Sequence, residues 1–221
     1  MLGRHRRSVL FAVLLVVALT LVNITYFNFW AIYLQTALGY TPTTALIASL
    51  ISIAGAMASM PAWGYVADRY GWSRMLFWAG VSTAATTLLL LAVVPTLPPG
   101  SELAVWIQLP AALAAGGIAA AVPGMVSVVF PTEVRQTGYS VPYNIVVAVL
   151  GGFLNLILVW LVASAGAGAP MYVVLVACVL TIVASFTVLR VPIHLGRGAR
   201  PVGGFSTAAG VTTTGDAAVT G

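Results

Sequence analysis

Lysine does not occur in this sequence, and acidic residues number only 4 in 221. Charged residues of every kind make up 6%, where a water-soluble domain carries about 25%. Hydrophobic residues make up 61%, and mean hydropathy is +1.06. A water-facing surface built from so few charges would be one continuous apolar patch and would aggregate. These absences exclude a soluble domain and make the bilayer the natural solvent.

Other absences narrow the chemistry. Cysteine occurs once, at Cys178, in the middle of an apolar run, where it reads as a small packing residue. The two histidines, His5 and His194, fall at the edges of the apolar segments. There is no Walker-type glycine loop, no pair of metal ligands and no nucleophile beside a base. No enzyme activity, no cofactor and no metal site is expected.

What the sequence does have is long uncharged runs: Ser8 to Ala67, Met75 to Ser101, Leu103 to Thr132 and Gln136 to Leu189. About 20 apolar residues cross the ~30 Å hydrocarbon core as a helix. The first and last runs are therefore long enough for two crossings each. Gly39-Tyr40-Thr41-Pro42 divides the first, and Gly166-Ala167-Gly168-Ala169-Pro170 divides the last. The reading is an all-α integral membrane protein with six transmembrane helices near 8–36, 43–64, 74–94, 103–129, 138–164 and 170–190. Residues 1–7 form a basic N-terminus, 8–190 the membrane bundle, and 191–221 a Gly-, Ala- and Thr-rich tail expected to be largely disordered.

Every basic residue is arginine: Arg4, Arg6, Arg7, Arg69, Arg74, Arg135, Arg190, Arg197 and Arg200. With six crossings all of them fall on one side, while the loops of the other side carry only Glu102. Basic residues are retained in the cytoplasm, so both termini are expected inside, in a cell inner (plasma) membrane. The net charge of +5 then reflects topology and contact with anionic lipid, with no nucleic-acid partner. Arg4 to Arg7 before an apolar run raise the question of a signal peptide. The run continues through Phe27, Phe29 and Trp30 without a small-x-small cleavage site. Asn23-Ile24-Thr25 matches a glycosylation sequon but lies at membrane depth.

Between the second and third helices the chain reads Gly64-Tyr65-Val66-Ala67-Asp68-Arg69-Tyr70-Gly71-Trp72-Ser73-Arg74. A turn at Gly71 and topology-setting arginines explain part of it. Asp68 at a membrane boundary invites a further role, since a carboxylate there can hold a neighbouring helix N-terminus. Gly64 is expected to let that helix approach closely. Between the fourth and fifth helices stands Phe130-Pro131-Thr132-Glu133-Val134-Arg135-Gln136-Thr137-Gly138, followed by Tyr143-Asn144 and Gly151-Gly152.

These two stretches resemble the loop signature G-x-x-x-D-R-x-G-R-R of the major facilitator superfamily and the F-P-T-x-x-R-x-T-G…Y-N…G-G stretch of its metabolite:proton symporter branch. A similar stretch occurs in the organic-ion branch. The resemblance runs from about Leu14 to Arg190 and implies the C-terminal six-helix half of a twelve-helix transporter, a 3+3 inverted repeat. It implies transport of a small organic solute, proton-coupled, with a six-helix N-terminal half or a second copy of the chain as partner. Gly64, Asp68, Arg69, Gly71, Arg74 and Arg135 would form the gating loops. Two departures stand out: Trp72-Ser73 replaces the basic pair after Gly71, and Val128 replaces an acidic residue two places before Phe130.

The resemblance places the first and fourth helices on the substrate cavity. On helix one Asn23, Tyr26, Trp30 and Tyr33 fall in one stripe about 80° wide at ~100° per residue. They serve either as a cavity wall or, near Tyr33, as interfacial aromatics. On helix five Asn144, Ala148, Gly151 and Asn155 share a face, where the amides serve as interhelical glue or reach water. The candidate substrate-binding set is Asn23, Tyr26, Trp30, Asn144 and Asn155. Helix four, from Ala111 to Ala121, is dense in Ala and Gly between Pro110 and Pro123, which suits close packing with a flexible backbone. No ionisable side chain lies within a span, so titrating groups for proton coupling would come from the missing half. The alternative functions are an inactive remnant of a truncated transporter gene, or a non-transporting membrane protein that uses the bundle as an interaction surface.

Overall fold

Glycine, proline and threonine punctuate the chain into helices. In the computed structural model the described residues are 6–96, 98, 103–129, 135–166 and 168–188, and no strand occurs among them. Helix α1 (Arg6–Asn23) passes through a π-turn (Ile24–Asn28) into α2 (Phe29–Leu38). Gly39 closes α2 in the left-handed region, φ 69° and ψ 24°, where glycine carries no Cβ penalty. Tyr40 N–H reaches back to Leu34 O at 3.0 Å, satisfying one of the orphan carbonyls of the helix end. Thr41 then caps α3 (Pro42–Tyr70): its Oγ1 accepts from Thr44 N–H at 3.3 Å, with Pro42 in the first turn.

One residue separates α3 from α4 (Trp72–Val93). Gly71 takes φ 92° and ψ 149°, a conformation essentially restricted to glycine. The segment expected as a loop from Gly64 to Arg74 is therefore almost entirely helical, because a single glycine turns the chain. After a 3₁₀ turn (Val94–Thr96) come α5 (Leu103–Trp106), α6 (Leu109–Val129), α7 (Arg135–Ala165) and α8 (Ala169–Val188). The fourth expected helix is thus broken at Ile107-Gln108, just before Pro110, whose ring nitrogen donates no hydrogen bond.

Grouped by continuity, the described residues make six helical rods: α1–α2, α3, α4, α5–α6, α7 and α8. Five contain a helix long and apolar enough to cross a bilayer: Val13–Thr36, Pro42–Tyr70, Trp72–Val93, Tyr143–Ala165 and Ala169–Phe186. The fourth rod contributes a shorter apolar helix, Leu109–Val122. The protein is a helical bundle of membrane-spanning character.

The packing is specific. Rod four lies along rods two and three, rod one lies along rods five and six, and rods three and six lie against each other. Close approach is made where side chains vanish. A Cβ on Gly116 would overlap Ser59 Oγ and stand 2.7 Å from Ala56 O. One on Gly117 would stand 2.7 Å from the Trp63 ring and 2.8 Å from Ala79 Cβ. The small residues of α6 are therefore packing residues, with Ala111, Ala112, Ala114, Ala115 and Ala121 all buried. Gly64 is different. Among the described residues nothing lies within 4 Å of its Cβ position, so the close approach expected there is made instead at Gly116 and Gly117. The outer face of α8 carries Tyr172, Val176, Val179, Val183 and Phe186, all exposed, an apolar stripe of helical period.

Candidate functional site

Rod one is the most enclosed span of the bundle and carries most of the expected wall. Its ladder slips at the π-turn: Phe29 N–H bonds Ile24 O, five residues back instead of four. A π-turn holds one residue more than an α-turn, so the phase of everything after it changes. Tyr26, Trp30 and Tyr33 stay on one face, fully enclosed by neighbouring helices. Trp30 and Tyr33 stack with ring centroids 5.4 Å apart. Asn23 leaves that stripe and is exposed, as is Asn28. Straight-helix periodicity put Asn23 with the aromatics; the inserted residue moves it to the other face.

The enclosed polar groups form a joint that the sequence reading missed. Tyr26 OH and Thr87 Oγ1 on α4 share a hydrogen bond, and Thr87 Oγ1 also donates to Thr83 O at 2.6 Å. The Tyr26 carbonyl, inside the π-turn, accepts from Nε2 of Gln108. The Gln108 Oε1 accepts from Ser52 Oγ on α3 at 2.9 Å. Gln108 is 0% exposed and sits in the break between α5 and α6. One carboxamide therefore ties rods one, two and four. An amide buried in an apolar setting needs its partners, and this one uses both ends. The available signal was a lone glutamine inside an uncharged run, immediately before Leu109-Pro110.

On α7 the expected stripe runs from the surface inward. Asn144 is exposed and donates from Nδ2 to Ser140 O at 2.8 Å. The Ile24 side chain lies 4.0 Å from the Cβ position of Gly151, and Asn155 is partly buried with its Oδ1 enclosed and without a hydrogen-bond partner. Thr25 Oγ1, Trp30 Nε1 and Ser49 Oγ are enclosed and unpartnered in the same way. Among the described residues no hydrogen bond joins any two of Asn23, Tyr26, Trp30, Asn144 and Asn155. Tyr26 is held by rods three and four, whereas Asn23 and Asn144 lie on the outside.

No protein-family model matches the chain, and neither does any curated protein or solved structure.

At the opposite end of α3, Arg69 is pinned locally. Its Nη1 donates to Tyr65 OH at 3.0 Å, and its guanidinium lies 5.7 Å from the Tyr70 ring centroid, within cation–π range. Asp68 and Arg74 are exposed on either side of Gly71. Ser73 Oγ donates to Ser185 O at 2.7 Å, fastening the start of α4 to the end of α8. Arg135 opens α7; its side chain, Phe130 to Val134, and the tail from Leu189 onward lie outside the described residues. Among the described residues no group of three His, Cys, Asp or Glu is placed to hold a metal ion.

Proposed function

We propose that the bundle is one six-helix half of a major-facilitator-type secondary transporter for a small organic solute, with both termini cytoplasmic and a second six-helix bundle facing it. The observation that carries this reading is the packing pattern. If rods one, two and three are exchanged with rods four, five and six, the five most extensive pairings map onto one another, while rod one against rod two has only a slight counterpart between rods four and five. Rod one with rod five becomes rod four with rod two. Rod one with rod six becomes rod four with rod three, and rod three with rod six maps onto itself. An inverted 3+3 repeat has this property, and such repeats build transporters whose solute site lies at the midplane between two bundles.

Exposed amides support the need for a partner. Asn23, Asn28 and Asn144 lie on the outer surface of helices long enough to span the bilayer. Asn144 satisfies its Nδ2 on Ser140 O, but the other amide groups would lack partners against lipid, and a facing bundle with an aqueous cavity supplies them. Asn155, with its unpartnered Oδ1, and the enclosed Tyr26 and Trp30 would stand behind that wall.

The test is uptake by proteoliposomes holding the chain in defined oligomeric states. A panel of labelled small carboxylic acids and quaternary amines is offered under an imposed proton gradient. Covalently verified dimers, or the chain with a six-helix partner, are expected to take up a solute, and monomers are not. Uptake by monomers overturns the two-bundle mechanism. The enclosure of Tyr26 and Trp30 favours a second reading, a non-transporting interaction protein, which predicts stable oligomers with no uptake in any state.

A further inference from the structure

We infer that the π-turn of rod one is a two-register switch latched by Gln108, which decides whether Asn23 faces out of the bundle or joins the aromatic stripe. The inference requires neither transport nor a second bundle.

The observed register has an identifiable alternative. If the turn closed into α-helix, Phe29 N–H would move from Ile24 O to Thr25 O. On an unbroken α-helix positions five apart lie about 140° apart, so Asn23 and Asn28 would no longer share the outer side. Asn23 would return to the line of Tyr26, Trp30 and Tyr33. The two registers thus differ by one residue of winding and by the facing of one amide.

Three observations show that the observed register is held rather than relaxed. First, its stabilising contact comes from elsewhere in the chain: Gln108 Nε2 donates to the Tyr26 carbonyl, and Ser52 Oγ fixes the other end of the same amide. Second, polar side-chain atoms at and just beyond the turn lack partners. Thr20, Thr83, Thr87 and Thr181 each donate to the carbonyl four residues back, at 2.7, 2.7, 2.6 and 2.8 Å. Thr25, inside the π-turn, is enclosed with its Oγ1 unpartnered, as is Trp30 Nε1 just beyond it. These costs oppose the latch and keep the alternative within reach. Third, Gln108 sits on a break of its own, the Ile107-Gln108 turn between α5 and α6. Movement of rod four therefore pulls the latch, and single π-turns inside α-helices recur at functional positions.

The experiment uses nitroxide labels at Asn23→Cys and Asn28→Cys, each in a Cys178→Ala background, in the full chain in lipid vesicles. Collision with oxygen reports whether each label faces lipid or is enclosed. With Gln108 present, both labels are expected to be accessible. In Gln108→Leu, the label at 23 is expected to fall to the level of an enclosed site while the label at 28 keeps its value. Ser52→Ala, a milder change that frees the amide while retaining it, is expected to give a partial fall at 23 only. It serves as the readout if Gln108→Leu does not assemble. Unchanged accessibility at 23 in every variant that assembles overturns the switch. Parallel changes at 23 and 28 overturn it too, since they report general loosening.

Discussion

Among the described residues, Gln108, Gly116 and Gly117 stand at joints between rods. Gln108 uses both ends of its amide on two other rods, and in Gln108→Leu the Ser52 Oγ keeps its bond to Ala48 O. The Tyr26 carbonyl loses the bond from Gln108, a loss of about 0.5–1.5 kcal/mol for one hydrogen bond, which a thermal unfolding curve in detergent would register. At Gly117 the space is occupied by Trp63 and Ala79, so Gly117→Val is expected to destabilise by about 1–3 kcal/mol as an overpacked site. Gly152 offers the opposite case. Nothing lies within 4 Å of its Cβ position among the described residues, and Gly152→Ala should stabilise α7 by about 0.5–1 kcal/mol through backbone entropy. Gly64→Ala is expected to behave like Gly152→Ala, and a large loss there would restore the close approach first read from its motif.

At the scale of elements, the two inter-helix glycines make different demands. Gly39 lies in the left-handed helical region, which asparagine also tolerates. Gly71, at φ 92° and ψ 149°, lies where any side chain is strained. Gly39→Asn is therefore expected to leave the melting temperature nearly unchanged, while Gly71→Asn lowers stability by about 1–3 kcal/mol. Equal effects at both positions would show that the two turns are not distinguished by backbone conformation. The contrast also shows how much of the fold was legible. Helix ends at Gly39, Thr41 and Gly166 were readable, because turn residues act locally. The slip in rod one was not, because periodicity arguments assume a constant ~100° per residue and nothing in Ile24-Thr25-Tyr26-Phe27-Asn28 announces a wider turn. The side chain that bonds the turn's Tyr26 carbonyl, Gln108, lies 82 residues away in sequence, beyond the reach of a local pattern. For the same reason Tyr26 and Trp30 were correctly grouped with each other, while Asn23 was placed on the wrong side of them.

For the molecule as a whole, composition decided the solvent and the arginines suggested the orientation. Thiols at Thr43→Cys and Ala165→Cys, both exposed in the structure, are expected to react with an impermeant reagent added outside whole cells. A thiol at Tyr70→Cys, exposed at the other end of α3, is expected to react only after permeabilisation. External labelling at 70 would reverse the proposed orientation, and labelling at all three would remove the membrane topology. What composition could not supply was the pairing of rods, since six apolar helices can be stacked in many orders. That pairing depends on small residues meeting in three dimensions, as Gly116 does with Ala56 and Ser59.

The one-residue connection at Gly71 also limits where the chain can be lengthened. With α3 and α4 joined through a single backbone unit, and Ser73 fastened to the carbonyl of Ser185, there is no slack to absorb an inserted residue. Extra length there would re-phase α4 and displace Thr87 from Tyr26. An epitope or reporter graft for following this protein in cells therefore belongs away from the hairpin at Gly71, which should be left at its present length.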